Sequence, residues 1–108
     1  MEFSKVYFLG IGGIGMSALA RYFLHVGKRV AGYDRTASRL TAELEAEGAS
    51  VHYDDDIRAV PEEFLDPHDT IVVYTPAVPQ EHSELRYFRE HGFTVEKRSQ
   101  MLGHLAEG

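Results

Sequence analysis

Along the chain, short unbroken apolar runs alternate with longer stretches in which apolar residues recur every three or four positions. The first pattern belongs to strands covered on both faces, the second to helices that bury one face. Val6, Tyr7, Phe8 and Leu9 form such a run, stopped by Gly10; Met16, Leu19, Phe23 and Val26 then follow at helical spacing up to Gly27, which can close the helix. A second strand is predicted over 29–33, ending at Asp34. Ser38 is placed to cap a helix that carries Leu40 and Leu44 and ends at Gly48. Residues 50–53 suggest a short third strand, and 61–65 at most a helical turn before Pro67. The run 70–74 is rich in β-branched residues and is stopped by Thr75 and Pro76, which predicts a central strand. Ser83 then caps a helix through Leu85 and Phe88 to Gly92, 94–98 makes a fifth strand, and Ser99 opens a last helix. Strands and helices alternating in this way predict an α/β fold, a Rossmann-like three-layer domain with a mostly parallel five-stranded sheet and right-handed crossovers.

Composition narrows the function classes. A chain of 108 residues with 44% hydrophobic and 26% charged residues has room for one compact domain with a packed core, spanning 1–108. Its net charge of -6 and scattered basic residues argue against a nucleic-acid or anionic-membrane partner. An anionic ligand would therefore depend on backbone N–H groups and one or two local cations. With no cysteine there is no disulfide, thiolate nucleophile or cysteine metal site. The opening apolar run is too short for a signal peptide or a membrane span, so a cytoplasmic, soluble protein is expected. The last helix has barely begun when the sequence ends, which suggests the N-terminal piece of a longer protein.

The candidate chemistry starts at Gly10, Gly12 and Gly15, which satisfy G-x-G-x-x-G between a strand and a helix. Gly10 permits the tight turn, Gly12 lets backbone approach a diphosphate, and Gly15 lets helix and strand pack closely. Gly13 and Ile14 complete a loop whose free amides and helix dipole face an anion. Asp34 lies nineteen residues beyond Gly15, where a carboxylate can accept hydrogen bonds from ribose hydroxyls. Arg35 and Thr36 follow and could face a base; Arg35 could equally meet a 2′-phosphate. Thr75, Pro76 and Ala77 sit at the carboxyl edge of the sheet, and Lys97 and Arg98 could supply the missing cation. Asp54, Asp55 and Asp56 read as a solvated turn and not a metal cluster, because consecutive side chains point to alternate sides. The six histidines lack ligand spacing and are expected mostly at the surface. No metal site, catalytic residue or nucleophile with a partner emerges. On these residues alone an NAD(P)-binding domain of a dehydrogenase or a redox-sensing regulator competes with other nucleotide-diphosphate binders, and a vacant, Rossmann-like interaction domain is a third reading.

The residues 8–20, with Gly32, Tyr33 and Asp34, then Thr75 to Val78, then Lys97 to Leu102, agree in order and spacing with the opening domain of the Mur ligase family, which the chain resembles along nearly its whole length. The resemblance implies a domain that binds the UDP part of UDP-N-acetylmuramate, in an enzyme that joins L-alanine to it during peptidoglycan synthesis. Gly12, Gly13, Ile14 and Gly15 would face the diphosphate; Asp34, Arg35 and Thr36 the uridine; Thr75, Pro76 and Ala77 phosphate or sugar; and Arg98 the anion. Many members of the family have a histidine after the third strand where this chain has Asp54, Asp55 and Asp56, so the resemblance carries over no contact there. ATP and Mg²⁺ would belong to the further ligase domains, the partners of this one, and this chain alone is expected to bind no cofactor and catalyse nothing.

Overall fold

In the computed structural model, which describes residues 2–107, the first strand, β1 (Lys5–Leu9), divides the core between two faces. Val6 and Phe8 point into one cluster and Tyr7 and Leu9 into the other, as the two-residue period of a strand requires. The remaining elements are α1 (Ile14–His25), β2 (Arg29–Tyr33), α2 (Arg39–Ala46), β3 (Ser50–His52), two 3₁₀ turns (Ile57–Ala59 and Glu62–Phe64), β4 (Thr70–Tyr74), α3 (Ser83–Glu90), β5 (Thr94–Lys97) and α4 (Arg98–Glu107). All neighbouring strands pair in parallel, in the order β3-β2-β1-β4-β5. The chain thus runs outward from β1 to one edge and returns to build the other half. The reversal puts a crevice at the carboxyl ends of β1 and β4, where open α/β sheets bind ligands.

On the Val6 face, Met16, Leu19, Ala20 and Phe23 of α1 pack with Leu44 of α2 and Met101 of α4; on the Tyr7 face, Leu85 and Phe88 of α3 pack with Phe64 and Phe93. Phe23 and Phe88, both essentially inaccessible, each contribute roughly 1.5–3 kcal/mol by burial. Hence α1, α2 and α4 form one layer and α3 with the 3₁₀ turns the other.

Several local expectations change. Val26 is the C-cap of α1, one residue past its last helical position, and is 51% exposed instead of joining the buried face. All five residues of β4 are buried, yet the middle of the sheet belongs to β1. The fifth strand ends at Lys97, and α4 begins at Arg98, one residue before Ser99. Ser38 does cap α2, in a reciprocal box with Thr41. Ser83, by contrast, is the first residue inside α3 and not its cap.

Candidate functional site

A cleft of about 640 Å³ opens at the crevice. Its floor is the turn after β1. Gly10 has φ +92, a conformation other side chains rarely adopt. The turn is tied to the end of β2, since the N–H groups of Gly10 and Ile11 both donate to Tyr33 O at 2.8 and 3.0 Å. The two isoleucines of the loop part company: Ile11 is wholly buried in the core, whereas Ile14 is 84% exposed on the rim.

The α1 side of the cleft gathers positive charge. The first backbone bond of the helix runs from Ser17 N–H to Gly13 O at 2.7 Å, so the amides of Ile14, Gly15 and Met16 precede the ladder. Among the described residues no side chain caps this end. Arg98, at the start of α4, lays its guanidinium against Gly15 so closely that a Cβ there would lie 2.8 Å from Cζ. The near neighbours of that Cβ are all guanidinium atoms, not strand backbone, so a side chain at position 15 would displace the end of Arg98 rather than part helix from sheet. The Nε of Arg98 is buried without a hydrogen-bond partner, and among the described residues the side chain joins no ion pair. A cation beside the positive end of a helix is unfavourable unless an anion comes between them.

Gly13, Ile14, Gly15, Asp34, Arg35, Thr75, Ala77 and Arg98 all line the cleft; Gly12, Thr36 and Pro76 do not. Gly12 donates its N–H to Asp34 Oδ1 at 2.9 Å, and Thr36 donates its own to Asp34 Oδ2 at 3.2 Å. The Asp34 carboxylate therefore holds the glycine loop to the end of β2 while bordering the cleft. Lys97 is exposed outside it, its N–H bonded to Gln100.

The opposite side carries residues that sequence reasoning left out. Asp55 is no mere solvated turn residue: Oδ2 accepts from Ser83 N–H at 2.9 Å, and Oδ1 from Glu84 N–H at 3.1 Å and the Ser83 hydroxyl at 2.8 Å. It caps α3 from another part of the chain. Burial by itself would raise its carboxyl, but these hydrogen bonds and neighbouring His82 outweigh that and hold it below the usual carboxylate range. Asp56 caps the first 3₁₀ turn through Arg58 N–H, while Asp54 is exposed. Below them Glu84, fully buried, accepts from the Tyr7 hydroxyl, from Asp56 N–H at 3.1 Å, and meets His52 Nε2 at 2.7 Å. Burial first, and then the Glu84 carboxylate, keep the Tyr7 hydroxyl protonated far above its ordinary range. His52 and His82 thus depart from the expected surface placement; the other four histidines are exposed. No spacing signal announces the contacts of Asp55 with α3 or of Glu84, which join residues 28 to 77 positions apart. Among the described residues no group of three or more His, Asp or Glu could hold a metal ion, and no helix is long and apolar enough to cross a membrane.

The sequence model described as "Mur ligase family, catalytic domain" matches residues 5–108. The chain belongs to the Mur ligase family. Its similarity to individual Mur ligases extends over nearly all of its length: it is 61% identical over 104 residues to a UDP-N-acetylmuramate--L-alanine ligase of Parabacteroides distasonis, covering 96% of this chain and 22% of that protein. A ligase of the same name from Porphyromonas gingivalis is 54% identical over 101 residues, covering 94% of this chain and 22% of that protein. Among solved structures, the UDP-N-acetylmuramate-alanine ligase of Thermotoga maritima superposes with a TM-score of 0.84 at 29% identity, covering 95% of this chain and 23% of that one. The chain therefore spans about a fifth of the length of these Mur ligases, and it shares their five-stranded parallel α/β domain.

Proposed function

We propose that the cleft binds the uridine diphosphate part of UDP-N-acetylmuramate, and that residues 1–108 form the N-terminal substrate-binding domain of an ATP-dependent, cytoplasmic ligase that joins L-alanine to that substrate in peptidoglycan synthesis. The observation that carries this reading is the uncapped start of α1 facing the unpaired Arg98 guanidinium. A diphosphate between them satisfies amides and cation together, with Gly13, Ile14 and Gly15 as the cradle. Asp34 and Arg35, at the end of β2, then meet the nucleoside, and Thr75 and Ala77 the distal phosphate or sugar. Gly12 and Thr36 serve through Asp34, and Pro76 stiffens its loop. ATP and Mg²⁺ belong to the remaining ligase domains, for which this chain supplies the held substrate and no catalytic group.

The dinucleotide alternative asks the second glycine of the motif to receive a pyrophosphate. Here the amide of Gly12 is spent on Asp34, and a Cβ on Gly12 would lie 2.9 Å from that carboxylate. The donor that a pyrophosphate would need is taken by the protein's own carboxylate.

Calorimetric titration of the 108-residue chain tests the assignment. UDP-N-acetylmuramate and UDP are expected to bind and NAD⁺ and NADP⁺ not to; Arg98→Ala should weaken UDP by on the order of 10- to 100-fold, the worth of charge-assisted hydrogen bonds. Binding of a dinucleotide with no response to millimolar UDP would overturn it.

A further inference from the structure

Two histidines lie near the carboxyl edge of the sheet on the α3 side, and they are treated oppositely. His52 is bonded to Glu84 at 2.7 Å and approaches the Tyr7 hydroxyl at 3.3 Å. His82 is 7% exposed and borders the cleft, yet neither of its ring nitrogens makes a hydrogen bond. Its Nδ1 is 3.2 Å from Asp55 Oδ1, within ion-pair distance but off the direction an N–H···O bond needs. Tyr33 packs edge-on against the ring with centroids 4.6 Å apart. A buried imidazole without a partner is costly, and in native proteins such a group has a use.

Resting on the nucleotide assignment above, we propose that His82 is a ligand-reading residue: when the nucleotide binds, its imidazole turns into the cleft and hydrogen-bonds a sugar hydroxyl. The charge layout selects that chemistry. Phosphates belong with Arg98 and the α1 amides, in the layer on the far side of the sheet from α3. Beside His82 stands the Asp55 carboxylate, kept ionised by its bonds to α3, which repels phosphate and tolerates a neutral hydroxyl. An imidazole can donate to or accept from such a group. The pentose of the nucleoside and the hexose beyond the diphosphate both offer hydroxyls, and the test separates them.

UDP and UDP-N-acetylmuramate are titrated into the wild-type chain and the His82→Phe, His82→Gln and Arg98→Ala variants, with ring ¹⁵N shifts of His82 followed in the wild type. Phenylalanine keeps the packing on Tyr33 and should weaken binding by about ten-fold, the loss of one hydrogen bond, while glutamine restores most of it. A loss shared by both ligands assigns the pentose; a loss confined to the sugar nucleotide assigns the hexose. Saturating ligand should also move the His82 ring nitrogens, a readout that survives if a variant fails to fold. If Arg98→Ala weakens binding but His82→Phe does not, or the ring shifts stay fixed, this inference falls and the nucleotide assignment stands. If the wild type binds neither ligand, both fall.

Discussion

Two helices begin at the same edge of the sheet, and their first turns are finished in opposite ways. At α3 the chain sends its own anion: Asp55, 28 residues before Ser83, accepts from the amides of Ser83 and Glu84 and from the Ser83 hydroxyl. At α1 no side chain caps the turn, and a guanidinium is brought up to it instead. The physical problem is the same in both places, since a helix start presents unpaired N–H groups and a partial positive charge. Where stability is the only requirement the protein solves it internally. Where it leaves the problem unsolved and adds a cation, the proposed function has the missing anion come from outside. On the proposed function, an acidic chain would thus hold a diphosphate without a basic surface.

The comparison breaks most directly if α1 is finished in the manner of α3. Gly13 has ordinary extended geometry, φ -66 and ψ 152, and a Cβ there meets nothing closer than 3.7 Å, so an aspartate fits at the cap position. Gly13→Asp should stabilise the fold by about 0.5–1 kcal/mol through capping, the dipole and a less flexible unfolded chain. The same carboxylate would occupy the anion position beside Arg98 and lower UDP affinity by roughly 100-fold or more. Urea unfolding and calorimetry on one sample check both halves. A variant that gains stability and binds UDP as before would remove the reason for calling the open turn a binding device.

The converse substitution is next in size. Asp55→Ala leaves the first amides of α3 without their partner and should cost about 1–2 kcal/mol, seen as a lower urea midpoint at unchanged slope. A shift of only a few tenths would mean that water or Ser83 replaces the carboxylate, and the two helix starts would then differ less than their contacts imply.

What could be seen in the sequence follows the same division. Periodicity and glycine placement foretold the strands, the order of elements and the loop after β1, because these depend on neighbours along the chain. The Ser38 cap was equally legible, its partner Thr41 being three residues away. The capping of α3 was not, since Ser83 carries the local signature of a cap while Asp55 reaches it from the segment after β3. Arg98 was visible as a cation, but its position over Gly15 depends on α4 returning to the face of α1. The buried cluster of Tyr7, His52 and Glu84 had no signal, for Glu84 in a helical stretch reads as a solvent-facing residue. Spacing reveals a site only as far as the spacing itself makes the contact.

The smallest expected effect isolates the charge in the α3 cap. Asparagine at position 55 keeps an oxygen acceptor but no ionisation, so the wild type minus Asp55→Asn difference reports the carboxylate alone. The folded protein holds the Asp55 carboxyl below its ordinary value, chiefly because the bonds from Ser83 and Glu84 outweigh the cost of partial burial. A group depressed in this way stabilises the folded state fully above the unfolded value of about 3.9 and loses that contribution as pH falls through the folded value. At pH 7 the wild type should be the more stable by less than about 1 kcal/mol, the usual range for a partly exposed charge at a helix start. Lowering pH from 7 through the unfolded value and below should narrow the gap. A gap that held constant or widened on acidification would show that hydrogen-bond geometry alone finishes α3, and the contrast with α1 would then concern an absent acceptor rather than an absent charge.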